Sequence, residues 1–472
     1  MRKRTVRILT GVAVIVLALG LSYGIAVAVG AARLRRAYAT LEKDGRPMRM
    51  ADVVPPEVPD TENGALLYES AALLLKAEPA GQSPDSPSGE SVKDAIDREK
   101  NKDLLGRLAS LSIELSDGKI TPQGRQELEQ LMGRKAVDYA LSSIETGTQR
   151  PICRQRRDYN AGINVLLPGL SDARSLARIV GAKARLEAEA GAMDLAWHLA
   201  VTQAKLADSY RSEPILFSQL VRMGIILLSC ATVQRLCDIA PPGPEERERI
   251  ETILRTDDDV TPLILAVDGD RLIFGEWLFS GSKEQLYKTM PDFWHEGSSR
   301  SPYKNWLTVK WITFKPLLLA DHAKYLEIMH TYAQSLEHPY SPASAEDIGR
   351  HRLTGMLVPA LGRIRTLHCR MTAQTHIARA GLALLQYRTA HGAFPATLDA
   401  LNLDSLSDPF VQGPLHYRAE GEGFIIYSVG EDQTDDGGTP KPERRDSDPR
   451  KQRDEGSDIV WRFPGQARPT TQ

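Results

Sequence analysis

The most marked feature of the hydropathy pattern is an uncharged stretch near the start of the chain. Residues 8–32 carry no charged side chain and are bounded by Arg7 and Arg33. A helix of about 20 residues covers the hydrocarbon core of a bilayer, so this stretch is long enough to span it with some tilt. The pattern therefore predicts a basic N-terminal tail over 1–7 and a transmembrane helix over 8–32.

A cleaved signal peptide is the alternative interpretation of this stretch. Arg2, Lys3 and Arg4 form a basic leader, and small residues close the stretch: Ala26, Ala28, Gly30, Ala31 and Ala32. The apolar run exceeds the roughly 7–15 residues of a typical signal-peptide core, which favours an uncleaved, single-pass span. Basic residues flank both ends of the run, so the positive-inside rule does not fix its orientation.

Helical periodicity dominates the chain after this stretch. A charged helical stalk followed by a proline-rich linker is predicted for 33–60, because proline excludes a continuing helix. Over 61–345, apolar residues recur at three- and four-residue spacing with little strand-type alternation. The breaks at small residues and prolines predict an all-α body of stacked helical hairpins. Residues 186–214 resemble one hairpin of the tetratricopeptide type, but no period of about 34 residues recurs.

The C-terminal segment 359–464 has a mixed pattern. One apolar stripe predicts a long helix that ends near Thr389. Strand patterns with a short glycine-containing turn follow, and they predict a three-stranded antiparallel sheet from 414–418, 423–429 and 458–463. Residues 465–472 are predicted to be a disordered tail. The predicted fold is therefore mainly α, with a transmembrane helix, a helical body and a small C-terminal α+β module.

The motifs of this module resemble the globular domain of the major pseudopilin of type II secretion systems. They follow the long helix in the same order: Tyr387, Gly392, Phe394-Pro395, Asp408-Pro409-Phe410, Tyr417-Arg418 and Tyr427-Ser428-Val429-Gly430. The resemblance covers about 100 of the 472 residues. It implies a pseudopilin-like tip, although the chain lacks the pseudopilin leader and places more than 300 residues between 8–32 and the module.

The chain as a whole resembles large membrane-anchored bacterial proteins of unassigned function. That resemblance implies a location in the inner (cytoplasmic) membrane. Because the pseudopilin-like module is expected outside the cytoplasm, it also implies that the large C-terminal part is extracytoplasmic.

The pseudopilin resemblance further implies a calcium site in the loop before the last strand. That loop contains clustered carboxylates, and the last strand begins with one more, so the predicted metal ligands are Glu431, Asp432, Asp435, Asp436 and Asp458. Calcium takes about six to eight oxygen ligands, which these carboxylates and nearby carbonyls could supply. The alternative is a solvated acidic turn.

Composition and motifs narrow the possible functions. The chain has 59 Lys and Arg against 61 Asp and Glu, so it lacks the basic excess of a nucleic-acid binder. It contains no phosphate-binding loop, dinucleotide fingerprint, nucleophile elbow or zinc-type Cys and His spacing. No catalytic residue and no cofactor other than calcium are therefore predicted. The favoured function is a non-enzymatic protein-interaction or structural protein, linked to a secretion or envelope assembly.

A membrane-tethered hydrolase with its site in the helical body is the second hypothesis. Its candidate residues are Glu327, His330 and His295, of which the first two form a Glu-x-x-His motif. Di-iron bundles need two such motifs, and no second copy occurs. His322 and His338 lie eight residues on either side of His330, so each step turns about 80° and the three are not expected to share a face. A purely structural spacer is the third hypothesis.

Overall fold

The computed structural model describes residues 2–80, 102–165, 167–256, 259–281, 314–341, 352–358, 361–401, 403, 406–439 and 458–464. These residues are mainly helical, as predicted. The helices are α1 (Arg2–Lys43), α2 (Ala65–Ala77), α3 (Leu104–Ser116), α4 (Pro122–Met132), α5 (Lys135–Thr148), α6 (Leu170–Glu189), α7 (Met193–Asp208), α8 (Leu216–Ile239), α9 (Pro244–Thr256), α10 (Thr261–Asp270), α11 (Lys315–Leu336), α12 (Arg352–Leu357) and α13 (Leu361–His391).

Shorter helical pieces complete this set. Three 3₁₀ segments lie at Met50–Asp52, Tyr159–Asn164 and Leu398–Leu401. α10 runs directly into a π-helical turn, Arg271–Glu276, and then a last α-helical turn, Trp277–Ser280. A π-helical turn inside a helix is rare and occurs often at functional sites.

The uncharged stretch and the predicted stalk form a single unbroken helix, α1. It ends at Lys43, and Gly45 follows with a φ of +67°. Only glycine adopts that left-handed conformation without strain, which allows the Arg46 N–H to reach back to the Leu41 carbonyl at 2.9 Å. The C-terminal half of α1 is part of the core, where Leu41 is 1% exposed.

The helical body is organised around α8. This helix packs against α6, α7, α10 and α13, and most of its length is buried. It is long and apolar enough to cross a membrane, but a helix that is apolar all round is equally typical of the centre of a large core. Around it, α6 packs on α7 and α3, and α2 packs on α5.

The C-terminal module contains the predicted long helix and three-stranded antiparallel sheet. The strands are β1 (His416–Glu420), β2 (Gly423–Ser428) and β3 (Ile459–Phe463), in the order β1-β2-β3. β1 begins two residues later than predicted, because Pro414 instead forms an isolated bridge with Ser407. All six residues of β2 are buried, which agrees with its continuous apolar pattern.

Among the described residues, one large hydrophobic core runs through both the body and the module, and a small second cluster is formed by Tyr159, Ile215 and Ile273. α13 contacts both β2 and β3 on the sheet and α8 and α9 in the body. The core extends from Leu41 in α1 to Trp461 in β3. The candidate residue His295 and the predicted tail 465–472 lie outside the described residues.

Candidate functional site

Ionisable side chains concentrate where α1 meets the π-helical turn and α11. We call this set the anchor junction: Tyr38, Glu276 and His322, with the pairs Arg33–Glu327 and Asp44–His330. α1 packs along α11, and the π-helical turn supplies Glu276 between them. α1 is more than 200 residues from the other two elements in sequence, so only the folded chain brings these residues together.

At the centre of the junction, Tyr38 and His322 both approach one carboxylate. The Tyr38 hydroxyl donates to Glu276 at 2.8 Å to Oε1 and 2.7 Å to Oε2, and His322 Nε2 lies 3.5 Å from Oε2. Burial alone would raise the pKa of the Glu276 carboxyl, but the hydrogen bonds and charge of its neighbours hold that pKa below its usual value. The cluster therefore keeps an ionised carboxylate inside the fold.

An aromatic ring also packs on the face of the His322 imidazole. It stacks on Phe279 with ring centroids 4.4 Å apart and planes inclined by 1°. The Glu276 carboxylate and the His322 imidazole are therefore each held by an aromatic side chain, Tyr38 and Phe279. The arrangement is suited to fixing α1 against the body at a defined register.

The motif proposed for a hydrolase lies in the same junction. Glu327 accepts from Arg33 at 2.8 Å and 2.5 Å, and His330 Nε2 lies 3.0 Å from Asp44 Oδ2. Glu327 therefore pairs with a residue of α1, and His330 pairs with the residue that directly follows α1. His322 and His330 approach α1 and its partners despite their rotation of about 80°, whereas His338 lies beyond the end of α11.

A second cluster of charged side chains holds the segment after α1 against α10 and the π-helical turn. Asp268 forms an ion pair with Arg46 at 2.6 Å and another with Arg271 at 3.2 Å. Arg271, which is 1% exposed, also donates to the Pro47 carbonyl. Burial raises the pKa of the Asp268 carboxyl despite both arginines. Neither sequence spacing nor motif could have indicated this cluster, because its members come from distant elements.

Another buried ion pair, Arg157–Glu213, holds the segment before α6 to the start of α8. Its N–O distance is 3.0 Å and both side chains are fully buried. Glu213 also accepts from the Tyr159 hydroxyl at 3.1 Å and from the Ser218 hydroxyl at 3.3 Å. A buried carboxylate with this many donors is typical of a structural network. No motif or spacing in the sequence indicates this pair.

The motif residues of the C-terminal module contact one another. The Asp408 carboxylate, which is completely buried, accepts from the backbone N–H of Phe410 at 2.9 Å and of Val429 at 2.8 Å. The Tyr417 hydroxyl donates to the Pro395 carbonyl at 2.8 Å. The turns and strand ends quoted for the resemblance are thus tied into one small unit.

The acidic loop is built around one tight turn at 436–438. Asp458 accepts from the N–H of Gly438 at 2.7 Å and of Asp436 at 3.4 Å. Asp435 accepts from the Gly437 N–H at 2.8 Å and the Tyr427 hydroxyl at 2.9 Å. Burial and the neighbouring carboxylates raise the pKa of Asp458.

Glu431 and Asp432 precede this turn and are exposed. Within the described part of the chain, no group of three or more His, Cys, Asp or Glu side chains is arranged to hold a metal ion. The loop carboxylates instead accept backbone and tyrosine hydrogen bonds. Calcium binding by Glu431, Asp432, Asp435, Asp436 and Asp458 stays a prediction.

Comparison of the chain with protein-family models, with curated proteins and with solved structures gives no match. The residues of the chain itself therefore carry the functional interpretation.

Proposed function

We propose that this protein is a single-pass membrane protein whose large C-terminal part lies outside the cytoplasm and binds other proteins, within a secretion or envelope assembly. The observation that carries the proposal is the two-part character of α1. Its first half is apolar and exposed, and its second half is built into the core of the body.

The exposed half of α1 has the length of a membrane span. Every residue from 7 to 26 is exposed, and 20 residues at about 1.5 Å each cover roughly 30 Å, the thickness of a hydrocarbon core. Its apolar side chains include Leu17, which is 75% exposed. In water, exposure of such a surface would strongly favour association or aggregation.

Retention of α1 is favoured over cleavage as a signal peptide. The region with a possible cleavage site lies in an unbroken helix, and Gly30 is buried there against α11. A Cβ at Gly30 would lie 3.0 Å from Leu319 Cβ, so the absence of a Cβ allows the two helices to approach closely. The anchor junction then continues this contact into the body.

Membrane fractionation tests the anchor. The full chain should stay with the membrane after alkaline carbonate extraction, and the double substitution Leu17→Arg with Val16→Arg should release it. The matched variant Leu73→Arg with Tyr139→Arg changes two exposed side chains of the body and should leave extraction unchanged. Recovery of the wild-type chain in the soluble fraction, or shortened at residues 26–32, would contradict the proposal.

Orientation requires a separate measurement. A phosphatase that is active only outside the cytoplasm, fused after Gln472, should be active, and a cytoplasm-dependent reporter at the same place should be inactive. The reverse pattern would place the body in the cytoplasm.

Two features support a role in protein binding. The contacts among the motif residues of the C-terminal module support its interpretation as a pseudopilin-like tip. The successive packing of α6, α7 and α8 supports the hairpin interpretation of the body, and stacked hairpins present extended surfaces to partner proteins.

Photo-cross-linking in intact membranes tests partner binding. A cross-linker at Val411 in the tip or Tyr139 in the body, which are 42% and 66% exposed, should give defined cross-linked proteins. The same cross-linker at Leu17 should give mainly lipid adducts and serves as the control. If all three positions give only diffuse products, the protein-binding role is wrong.

A further inference from the structure

A groove between the helical body and the β-sheet has the features of a ligand site. It has a volume of about 550 Å³. Residues from α3, α6, α7, α8 and β3 line it, so it exists only where body and module meet. Cavities of about 300–1,000 Å³ are typical of small-molecule sites.

The groove has a strong excess of positive charge. Four arginines line it against one carboxylate, that of Asp238, and they are Arg178, Arg185, Arg235 and Arg462. Arg185 is paired with Glu189 at 2.8 Å, and Arg462 is paired with Glu420.

Arg178 differs from these paired arginines. It forms no hydrogen bond or ion pair with any residue that the structure describes. Burial lowers the pKa of its guanidinium, the nearby charge of Arg174 lowers it further, and the charge of Asp117 opposes this shift to a smaller extent. A partly buried cation that has no direct ion-pair partner favours binding of an anion from solution.

Two residues that line the same groove each carry a buried polar atom without a hydrogen-bond partner among the described residues. Gln203 is 1% exposed, and its Oε1 accepts no hydrogen bond, whereas its Nε2 donates to the Ala177 carbonyl at 2.8 Å. Trp461 is 3% exposed, and its indole Nε1–H has no acceptor. Most buried polar groups in proteins are hydrogen-bonded. The Gln203 oxygen and the Trp461 N–H are exceptions, so one acceptor and one donor remain for a ligand.

The remaining lining residues are partly apolar. Leu115, Leu228 and Val460 contribute to the groove wall. A small inorganic anion would leave this surface unused, whereas an anion with an apolar body would contact both kinds of surface.

We propose that the groove binds a small organic anion. Its carboxylate or phosphate group pairs with Arg178, its apolar body lies against Leu228 and Val460, and its polar substituents bond to Gln203 and Trp461. Arginine suits the role because its planar guanidinium can bind such a group through two hydrogen bonds.

Calorimetric titration of the full chain in phosphatidylcholine nanodiscs tests the site. Phenyl phosphate and benzoate serve as the two probes, and inorganic phosphate serves as the comparison. At least one organic probe should bind more tightly than inorganic phosphate. Arg178→Gln should weaken that binding at least tenfold.

Arg174→Gln is the matched control. Arg174 is exposed, lies one helical turn earlier on α6 and does not line the groove, so its substitution should change the affinity less than threefold. Equal losses in the two variants would show a general effect of charge and overturn the site. Absence of binding of both organic probes to the wild type at 10 mM would also overturn it.

A second variant guards against a folding artefact. Ala231→Glu places a negative charge on the groove wall at an exposed position of α8 and should weaken binding at least tenfold while the unfolding midpoint stays within a few degrees of the wild type. Unchanged affinity in this variant would contradict the proposal.

Nanodiscs with phosphatidylglycerol distinguish a lipid headgroup from a free anion. Competition by this lipid, lost in Arg178→Gln, would identify a headgroup as the source of the same phosphate chemistry. Unchanged probe affinity in these nanodiscs would identify a soluble anion.

Discussion

At the residue scale, burial sets the ionisation of several carboxyl groups. Asp270 lines a small apolar cavity of about 320 Å³, and its carboxylate accepts one hydrogen bond, from the Leu216 N–H at 3.1 Å. Burial raises the pKa of Asp270 to about 8 from its ordinary 3.8. Between these values the folded state holds a proton that the unfolded chain has released, so stability falls as pH rises.

We therefore expect Asp270→Asn to flatten the dependence of stability on pH. The melting temperature of the wild type should fall between about pH 5 and 9, and that of the variant should fall less. The two decreases should differ by about 2–5 °C over that range. Thermal unfolding followed by circular dichroism at several pH values measures this. Parallel curves would show that Asp270 does not titrate in this range.

Asp259 provides a control of opposite sign. Burial would raise its pKa, but hydrogen bonds from Thr261 and the charge of Arg211 lower it below its usual value. Its contribution to stability is therefore present at neutral pH and lost as pH falls through the lowered pKa. Asp259→Asn should destabilise the protein at pH 7, and the destabilisation should shrink as the pH is lowered below the ordinary pKa of an Asp carboxyl.

The Tyr38 hydroxyl provides another prediction at this scale. Tyr38→Phe leaves the partly buried Glu276 carboxylate without two of its close contacts, and such a loss costs about 1–3 kcal/mol. Denaturant unfolding should show a loss of this size. Tyr139→Phe changes a tyrosine that is 66% exposed and should leave the free energy of unfolding unchanged. An equal loss in both variants would contradict a stabilising role of the Tyr38–Glu276 contact.

At the element scale, the contact between α1 and α11 depends on one glycine. The short Cβ distance between positions 30 and 319 is close to the 3.5–4.5 Å of a disulfide. Gly30→Cys with Leu319→Cys should therefore cross-link under mild oxidation. Gly20→Cys with Leu319→Cys should not, because no atom lies within 4 Å of a Cβ at Gly20. Electrophoresis under non-reducing conditions measures both.

The contact between α13 and the sheet also depends on a glycine. A Cβ at Gly381 would lie 1.7 Å from the Trp461 ring, so the indole packs directly on the helix backbone. Gly381→Ala should destabilise the protein by about 1–3 kcal/mol, as overpacked cores do, and reduce amide protection in β3.

Gly413→Ala is the control for this substitution. The nearest atom to a Cβ at Gly413 is Val411 Cγ2 at 3.8 Å, which is an ordinary contact. Hydrogen exchange in β3 should therefore stay unchanged in this variant. Equal deprotection by both substitutions would indicate a general loss of the module rather than a clash at Trp461.

At the scale of the whole molecule, the continuous core couples the body to the C-terminal module. α13 belongs to both, because it packs on α8 as well as on β2 and β3. We expect the two parts to unfold in one transition, although the sequence pattern suggests a boundary near residue 359. Coincident midpoints by near-ultraviolet and far-ultraviolet circular dichroism would agree with this, and two separate transitions would contradict it.

The sequence by itself determined the elements, because their causes are local. An uncharged run, helical spacing and a turn at Gly421 predict α1, the helical body and the β1–β2 hairpin without knowledge of any partner segment. The position of Asp408 beside a proline and an aromatic residue likewise indicated a turn, although its bonds to Val429 did not follow from the pattern.

Only the tertiary structure decided which polar residues meet. The anchor junction joins residue 38 to residues 276 and 322, and the groove joins α6, α7 and α8 to β3. The energy of such contacts depends on distance and burial, and neither has a local signature in the chain. The Glu-x-x-His spacing therefore raised the hypothesis of a catalytic pair. In the folded chain, Glu327 pairs with Arg33 of α1, and His330 pairs with Asp44 just after α1.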